Sequence, residues 1–162
     1  MKIELKNFKF YERLSEETLC FIGNIWVNGV KCGYAENTGK GGCCSYHHEG
    51  TELSKELIRD AEGYCESNGN SLYNYLDDLA CELATKKEKD AIAKKLNKDM
   101  QKAILIGTDT QYQVISFKKP LREVWETQPD YFKKVLIEKL DKYKEKGYRL
   151  LNTNIPQQFL NN

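Results

Sequence analysis

Residues 37–50, NTGKGGCCSYHHEG, gather the chemistry-capable residues of this chain: four glycines, the adjacent Cys43 and Cys44, and both histidines, His47 and His48. Three chemistries suit those types. A glycine-rich loop can turn several backbone N–H groups toward one point and bind an anion, with Lys40 adding charge and a helix starting near Thr51 adding its positive end. Phosphate is the natural ligand of such a loop. The residues it would use are Asn37, Thr38, Gly39, Lys40, Gly41 and Gly42, with Tyr46 and His47 close by in sequence. The match to phosphate-loop patterns is partial: no Ser or Thr follows Lys40, no glycine stands five residues before Gly39, and the dinucleotide fingerprint is missing. The plain alternative is a turn through which the chain leaves a sheet.

The second chemistry is zinc, whose preferred ligands are thiolate and imidazole. Four donors on neighbouring positions of one segment diverge, so at most one Cys and one His from here would join a distant Cys65 or Cys81. No metal or other cofactor is expected. The third is nucleophilic catalysis, in which Lys40 and His47 would favour the thiolate of Cys43 or Cys44. The spacing permits that contact without creating it, and no residue is assigned as catalytic. Asp77 and Asp78 are adjacent on a helix, point roughly 100° apart and read as solvated acids, as does Asp109.

The elements that must position this loop are legible nearby. LCFIGNIWVNGVKCGYA alternates with period two around Asn28-Gly29, the dipeptide of a type I′ hairpin turn. Counting outward sets Val27 opposite Val30, Ile25 opposite Cys32 and Gly23 opposite Tyr34, with Leu19, Phe21, Ile25, Val27, Val30, Cys32 and Tyr34 on one face. Tyr34 would cover the bare backbone of Gly23. Upstream, KIELKNFKF changes phase between Leu5 and Phe8, which predicts a bulged strand.

Downstream, Leu53, Leu57, Ile58, Ala61 and Cys65 share a helical face that opens near Thr51 and stops around Gly69. Ser71 caps a second helix with the stripe Leu72, Tyr75, Leu76, Leu79, Ala80 and Leu83, and the polar run 85–99 is either its continuation or a separate helix. Two short strands surround a Thr-Asp-Thr turn at 108–110. A helical turn then holds Trp125, a helix opens at Pro129-Asp130 and ends at Gly147 after a lysine-rich turn, and YRLLNT is a final strand before a fraying QQFLNN. The order βββααββαβ predicts an α+β fold with helices packed on one face of a mostly antiparallel sheet.

At 162 residues, a single domain with one core is expected: strands to 36, the loop 37–50, helices 51–101, then hairpin, helix and strand over 102–155. Lysine and arginine (25) nearly balance aspartate and glutamate (24), so no global field holds nucleic acid or an anionic membrane. The basic run near Lys86 is interleaved with acids and lacks stacking aromatics, which argues against a nucleic-acid groove. No apolar run reaches the roughly 20 residues of a membrane span, and MKIELKNFKF is unlike a signal peptide, so a cytoplasmic protein with reduced cysteines is expected. The ten tyrosines, Tyr46, Tyr73 and Tyr75 among them, suit a binding surface.

The segment FIGNIWVNGVKCGYAENTGKGGCCSYH resembles small accessory proteins of phages and related mobile elements, in which a strand, a two-residue turn and a G-x-x-x-N-x-G-x-GG loop recur. The later AILIGTDTQYQVISFKKPL is similar too. The resemblance implies a bacterial host cell and a non-enzymatic binder that sequesters a nucleotide-like signal of host defence or occupies a host defence protein, with a homo-oligomer left open. It brings no catalytic residues. Two rival expectations are a hydrolase or transferase using the Cys/His loop, and a nucleic-acid-binding regulator.

Overall fold

Type I′ turns need positive φ at both central residues. Asn28 (+49°) and Gly29 (+84°) have it in the computed structural model, which describes residues 1–108, 110–144 and 146–160. The turn joins β2 (Phe21–Val27) to β3 (Val30–Asn37), with Val27 opposite Val30 as counted. β1 (Ile3–Phe10) lies on the other side of β2. Its change of phase is a bulge: the pairing shifts between Lys6 and Lys9, Asn7 adopts φ +52°, and Ile3, Leu5 and Phe8 are all buried.

The counted register fails beyond the pair Trp26–Lys31. Cys32 is an extra residue in β3, so Ile25 faces Gly33, Asn24 faces Tyr34 and Gly23 faces Ala35. One inserted residue flips every later side chain. Ala35 therefore enters the core, while Tyr34, expected over Gly23, is 39% exposed on the outer face.

Residues 37–50 also fold differently from the expected strand-to-helix loop. Ser45–His48 form a fourth strand, β4, antiparallel to β3, with Tyr34 opposite His47 and Ala35 opposite Tyr46. The glycine-rich segment thus links two strands of a hairpin instead of leading from a strand into a helix. Gly33 permits the pairing, because a Cβ there would run into the His47 carbonyl oxygen. The sheet order is β1-β2-β3-β4.

α1 (Glu52–Ser67) starts as expected, with Thr51 Oγ1 accepting the Ser54 N–H at 3.1 Å. It stops in a Schellman motif at Gly69 (φ +72°), where the Asn70 and Gly69 N–H groups donate to the Cys65 and Glu66 carbonyls, each at 3.0 Å. α2 (Leu72–Met100) is one unbroken helix, and Ser71 Oγ accepts the Asn74 N–H at 3.2 Å. Leu72, Leu76, Ala80 and Ala84 pack with Ile58, Ala61 and Cys65 of α1 and with Phe21, Ile25, Val27, Cys32 and Ala35 of the sheet.

Two compact units emerge, Met1–Lys87 and Glu88–Asn162. Where one core was expected, buried side chains form separate clusters, because residues 85–95 of α2 are all exposed and contribute to none. In the second unit β5 (Ala103–Gly107) pairs with β6 (Tyr112–Ser116), the expected hairpin, and with β7 (Arg149–Leu150) on its other side. These strands make a second sheet, β6-β5-β7, in place of further strands of the first. α3 (Leu121–Thr127) and α4 (Pro129–Lys144) cover one side of β5: Leu121, Phe132 and Leu136 meet Ile104 and Ile106. Met100 and Leu151 meet Ala103 and Leu105.

β7 is short because the Asn152 side chain replaces backbone in the ladder. It accepts the Leu105 N–H at 2.6 Å and donates to the Ala103 carbonyl at 3.0 Å. Gln157–Phe159, expected to fray, form a 3₁₀ turn that buries Phe159 edge-on against Phe132, with ring centroids 5.1 Å apart. Asp109, Glu145, Asn161 and Asn162 lie outside the described residues. Among the described residues every strand pairing is antiparallel, and the fold is α+β. Among the described residues no helix is long and apolar enough to cross a membrane.

Candidate functional site

Between β3 and β4 the chain curls through Gly39 (φ +82°), Gly41 (+97°) and Gly42 (+80°), a backbone shape that L side chains resist. The curl has the turn geometry an anion loop would need. Three of its N–H donors, those of Gly39, Gly41 and Cys44, are committed to the chain's own side chains. Asn37, 6% exposed, accepts the Gly39 N–H at 2.9 Å and the Thr18 hydroxyl at 3.0 Å through Oδ1. Its Nδ2 donates to the Gly42 carbonyl at 3.2 Å and to Asp77 Oδ1 at 3.3 Å. Thr18 Oγ1 accepts the Gly41 N–H at 3.3 Å, and Asp77 Oδ2 accepts the Cys44 N–H at 2.9 Å.

A carboxylate from α2 therefore stands where a bound anion was expected, and Asp77 is a loop anchor instead of a solvated helix acid. The Gly39 carbonyl is engaged too, accepting N–H groups of Glu16, Glu17 and Thr18 at 2.9, 3.0 and 3.4 Å. A Cβ on Gly39 would strike the Leu14 carbonyl and the Cys20 side chain. Thr38 and Lys40 remain exposed, and Gly41 is half-buried.

The cysteines divide by burial. All six are free thiols; Cys20, Cys32, Cys44 and Cys65 are buried, while Cys43 and Cys81 are exposed. Burial pushes the Cys44 thiol up to about 12, and the negative charge of Asp77 adds to the effect. This opposes the thiolate that a nucleophile at Cys44 would need. The Cys44 thiol donates to the Tyr73 carbonyl at 3.4 Å, and that of Cys43 to Asn74 Oδ1 at 3.6 Å. Among the described residues no three His, Cys, Asp or Glu side chains are grouped to hold a metal ion.

The aromatic residues of β4 separate onto its two faces. His47 is exposed and stacks on Tyr34 of β3, with centroids 5.0 Å apart. Tyr46 is half-buried on the opposite face, 4.6 Å from the ring of Tyr73, and its hydroxyl donates to Glu62 of α1 at 2.6 Å. Burial, with the Glu62 bond, holds that phenol in its protonated form well above its ordinary range. Of the eight residues assigned to ligand binding, Asn37, Gly39, Gly41 and Gly42 share one hydrogen-bond cluster, Thr38 and Lys40 stand at its surface, and Tyr46 and His47 point apart.

Thr18, Glu62 and Asp77 carry much of this geometry and had no local signal. They come from three segments of the chain, and only the fold brings them to the loop and to β4. Compared with known protein families, curated proteins and solved structures, the chain matches none.

Proposed function

We propose that the protein is a non-enzymatic binder of phage or mobile-element origin that acts in a bacterial cytoplasm by occupying a host defence protein. The observation that carries the choice of a protein over a nucleotide-like signal is the self-occupied loop. Asn37, Thr18 and Asp77 take the Gly39, Gly41 and Cys44 N–H groups, which are thereby withdrawn from any phosphate. An added phosphate would also meet the Asp77 carboxylate, and like charges repel at short range. What β4 and its neighbours offer instead is aromatic and half-exposed: Tyr34, His47, Tyr46 and Tyr73. Such residues anchor protein interfaces at small entropic cost.

The high proton affinity of the Cys44 thiol weighs against the hydrolase or transferase reading. Native mass spectrometry of the protein purified from defence-active bacterial cells tests the proposal. A stoichiometric host protein with no retained nucleotide is the expected result. A retained nucleotide, or the bare chain alone, overturns it.

A further inference from the structure

Outer strands of a sheet expose unpaired N–H and C=O groups, and folded chains commonly blunt such edges. The first sheet has two. At β1 the edge is interrupted by the bulge at Asn7, and Lys87 donates to the Phe8 carbonyl there while lying 5.0 Å from the Phe8 ring centroid. Among the described residues β4, four residues long, has neither a bulge nor a lysine on its edge carbonyls, and no strand pairs with its outer side.

Which groups that edge presents follows from the phase of the ladder. The Glu49 N–H donates to the Cys32 carbonyl at 3.0 Å, and Gly33 lies opposite His48 and Ala35 opposite Tyr46. Bonded and non-bonded pairs alternate in an antiparallel ladder. Tyr46 and His48 therefore turn their backbone N–H and C=O groups away from β3, along the free edge.

Beside this edge is a cavity of about 280 Å³ lined by Tyr46, His47, His48, Ile58 and Glu62. Tyr46 and His48 share the sheet face of buried Ala35, so a residue set opposite either of them in an added strand directs its side chain to that same face. The walls combine an aromatic ring, the Ile58 side chain and a carboxylate. Glu62 Oε1 already accepts from Tyr46, and its second oxygen has no partner among the described residues. An apolar stem ending in a cation complements these walls.

We propose that the β4 edge docks an extended segment of a partner protein as a fifth strand, with a lysine or arginine side chain seated against Ile58 and Glu62. This rests on the reading of the chain as a protein binder. The probe is a random-peptide library panned on the full chain, followed by amide hydrogen exchange with the best synthetic peptide. Enriched peptides should carry a basic residue among β-formers and should slow exchange at the Tyr46 and His48 amides. His48→Pro removes an N–H that the β3 ladder does not use, and should abolish peptide binding with thermal unfolding unchanged. Should that variant not fold, Glu62→Gln serves, with a loss of at least about tenfold in affinity for the basic peptide.

No enriched peptide, protection confined to other amides, or indifference to Glu62→Gln would overturn the docking edge. So would protection of Tyr46 and His48 that rises with protein concentration alone, which would assign the edge to a second copy. None of these outcomes touches the binder reading, which falls if native mass spectrometry finds a retained nucleotide or the bare chain alone.

Discussion

Asp77 shows how a residue can be legible in type and misread in role. Its spacing beside Asp78 on a helix gave it no partner, yet it closes the loop between β3 and β4 from a position 33 residues beyond Cys44. Asp77→Ala should cost about 1–3 kcal/mol in denaturant unfolding and speed exchange at the Cys44 amide, because a half-buried donor loses its acceptor. Unchanged stability would mean that water replaces the carboxylate freely. Cys44 supports a second prediction. Its thiol holds its proton to about pH 12 when folded and to about 8.5 when unfolded, so between those values the folded state binds more protons and stability falls as pH rises. Cys44→Ala should lessen the alkaline slope in pH-dependent unfolding, the rest coming from other buried or half-buried thiols and phenols such as Cys32 and Tyr46. Alkylation of the native protein near neutral pH should mark Cys43 and Cys81 first, the other four reacting only on unfolding.

At the scale of elements, what local chemistry dictates was readable. The I′ turn, the β1 bulge, the caps at Thr51 and Ser71 and the stop at Gly69 each depend on a few neighbouring residues. The β2–β3 register was not readable past Lys31, because an unbroken alternation of residue types carries no mark of the extra residue at Cys32, and the close approach of the His47 carbonyl to Gly33 involves a strand outside the hairpin. β4 itself hid inside a stretch whose glycines and cysteines read as loop chemistry. Two substitutions separate the kinds of glycine. Gly29→Val meets no neighbour but must hold φ near +84°, and should cost about 1–2 kcal/mol through backbone strain. Gly33→Ala should cost about 1–3 kcal/mol through overpacking and should loosen β4 selectively, seen as faster exchange at the His47 amide. Equal exchange across the sheet in both variants would contradict that division.

For the molecule as a whole, the class and, β4 apart, the outline of the element order followed from the sequence, while the division of the core did not. Hydrophobic periodicity tells which face of a helix is buried, not which partner buries it, so the run 85–99 was readable as a continuation of α2 or a separate helix but not as the boundary between two cores. Each unit contains one tryptophan, Trp26 in the first and Trp125 in the second. Trp26→Phe and Trp125→Phe variants therefore report on one unit each, and their fluorescence should give different unfolding midpoints in denaturant. Coincident midpoints would show that the separate clusters melt as one.

The turn that buries Phe159 sets a schedule for the chain as it is made. β1 to β4, α1 and the first half of α2 are neighbours in sequence, so the first unit has all of its parts once Lys87 has left the ribosome. The second unit draws Ile155 and Phe159 into the same cluster as Ile104, so its core is incomplete until almost the last residue described has emerged. At ordinary translation rates that interval is roughly ten seconds. For the later part of it, β5, whose five residues are all buried in the finished fold, is outside the ribosome and lacks its cover, so this half exposes apolar strand surface for longer than the first.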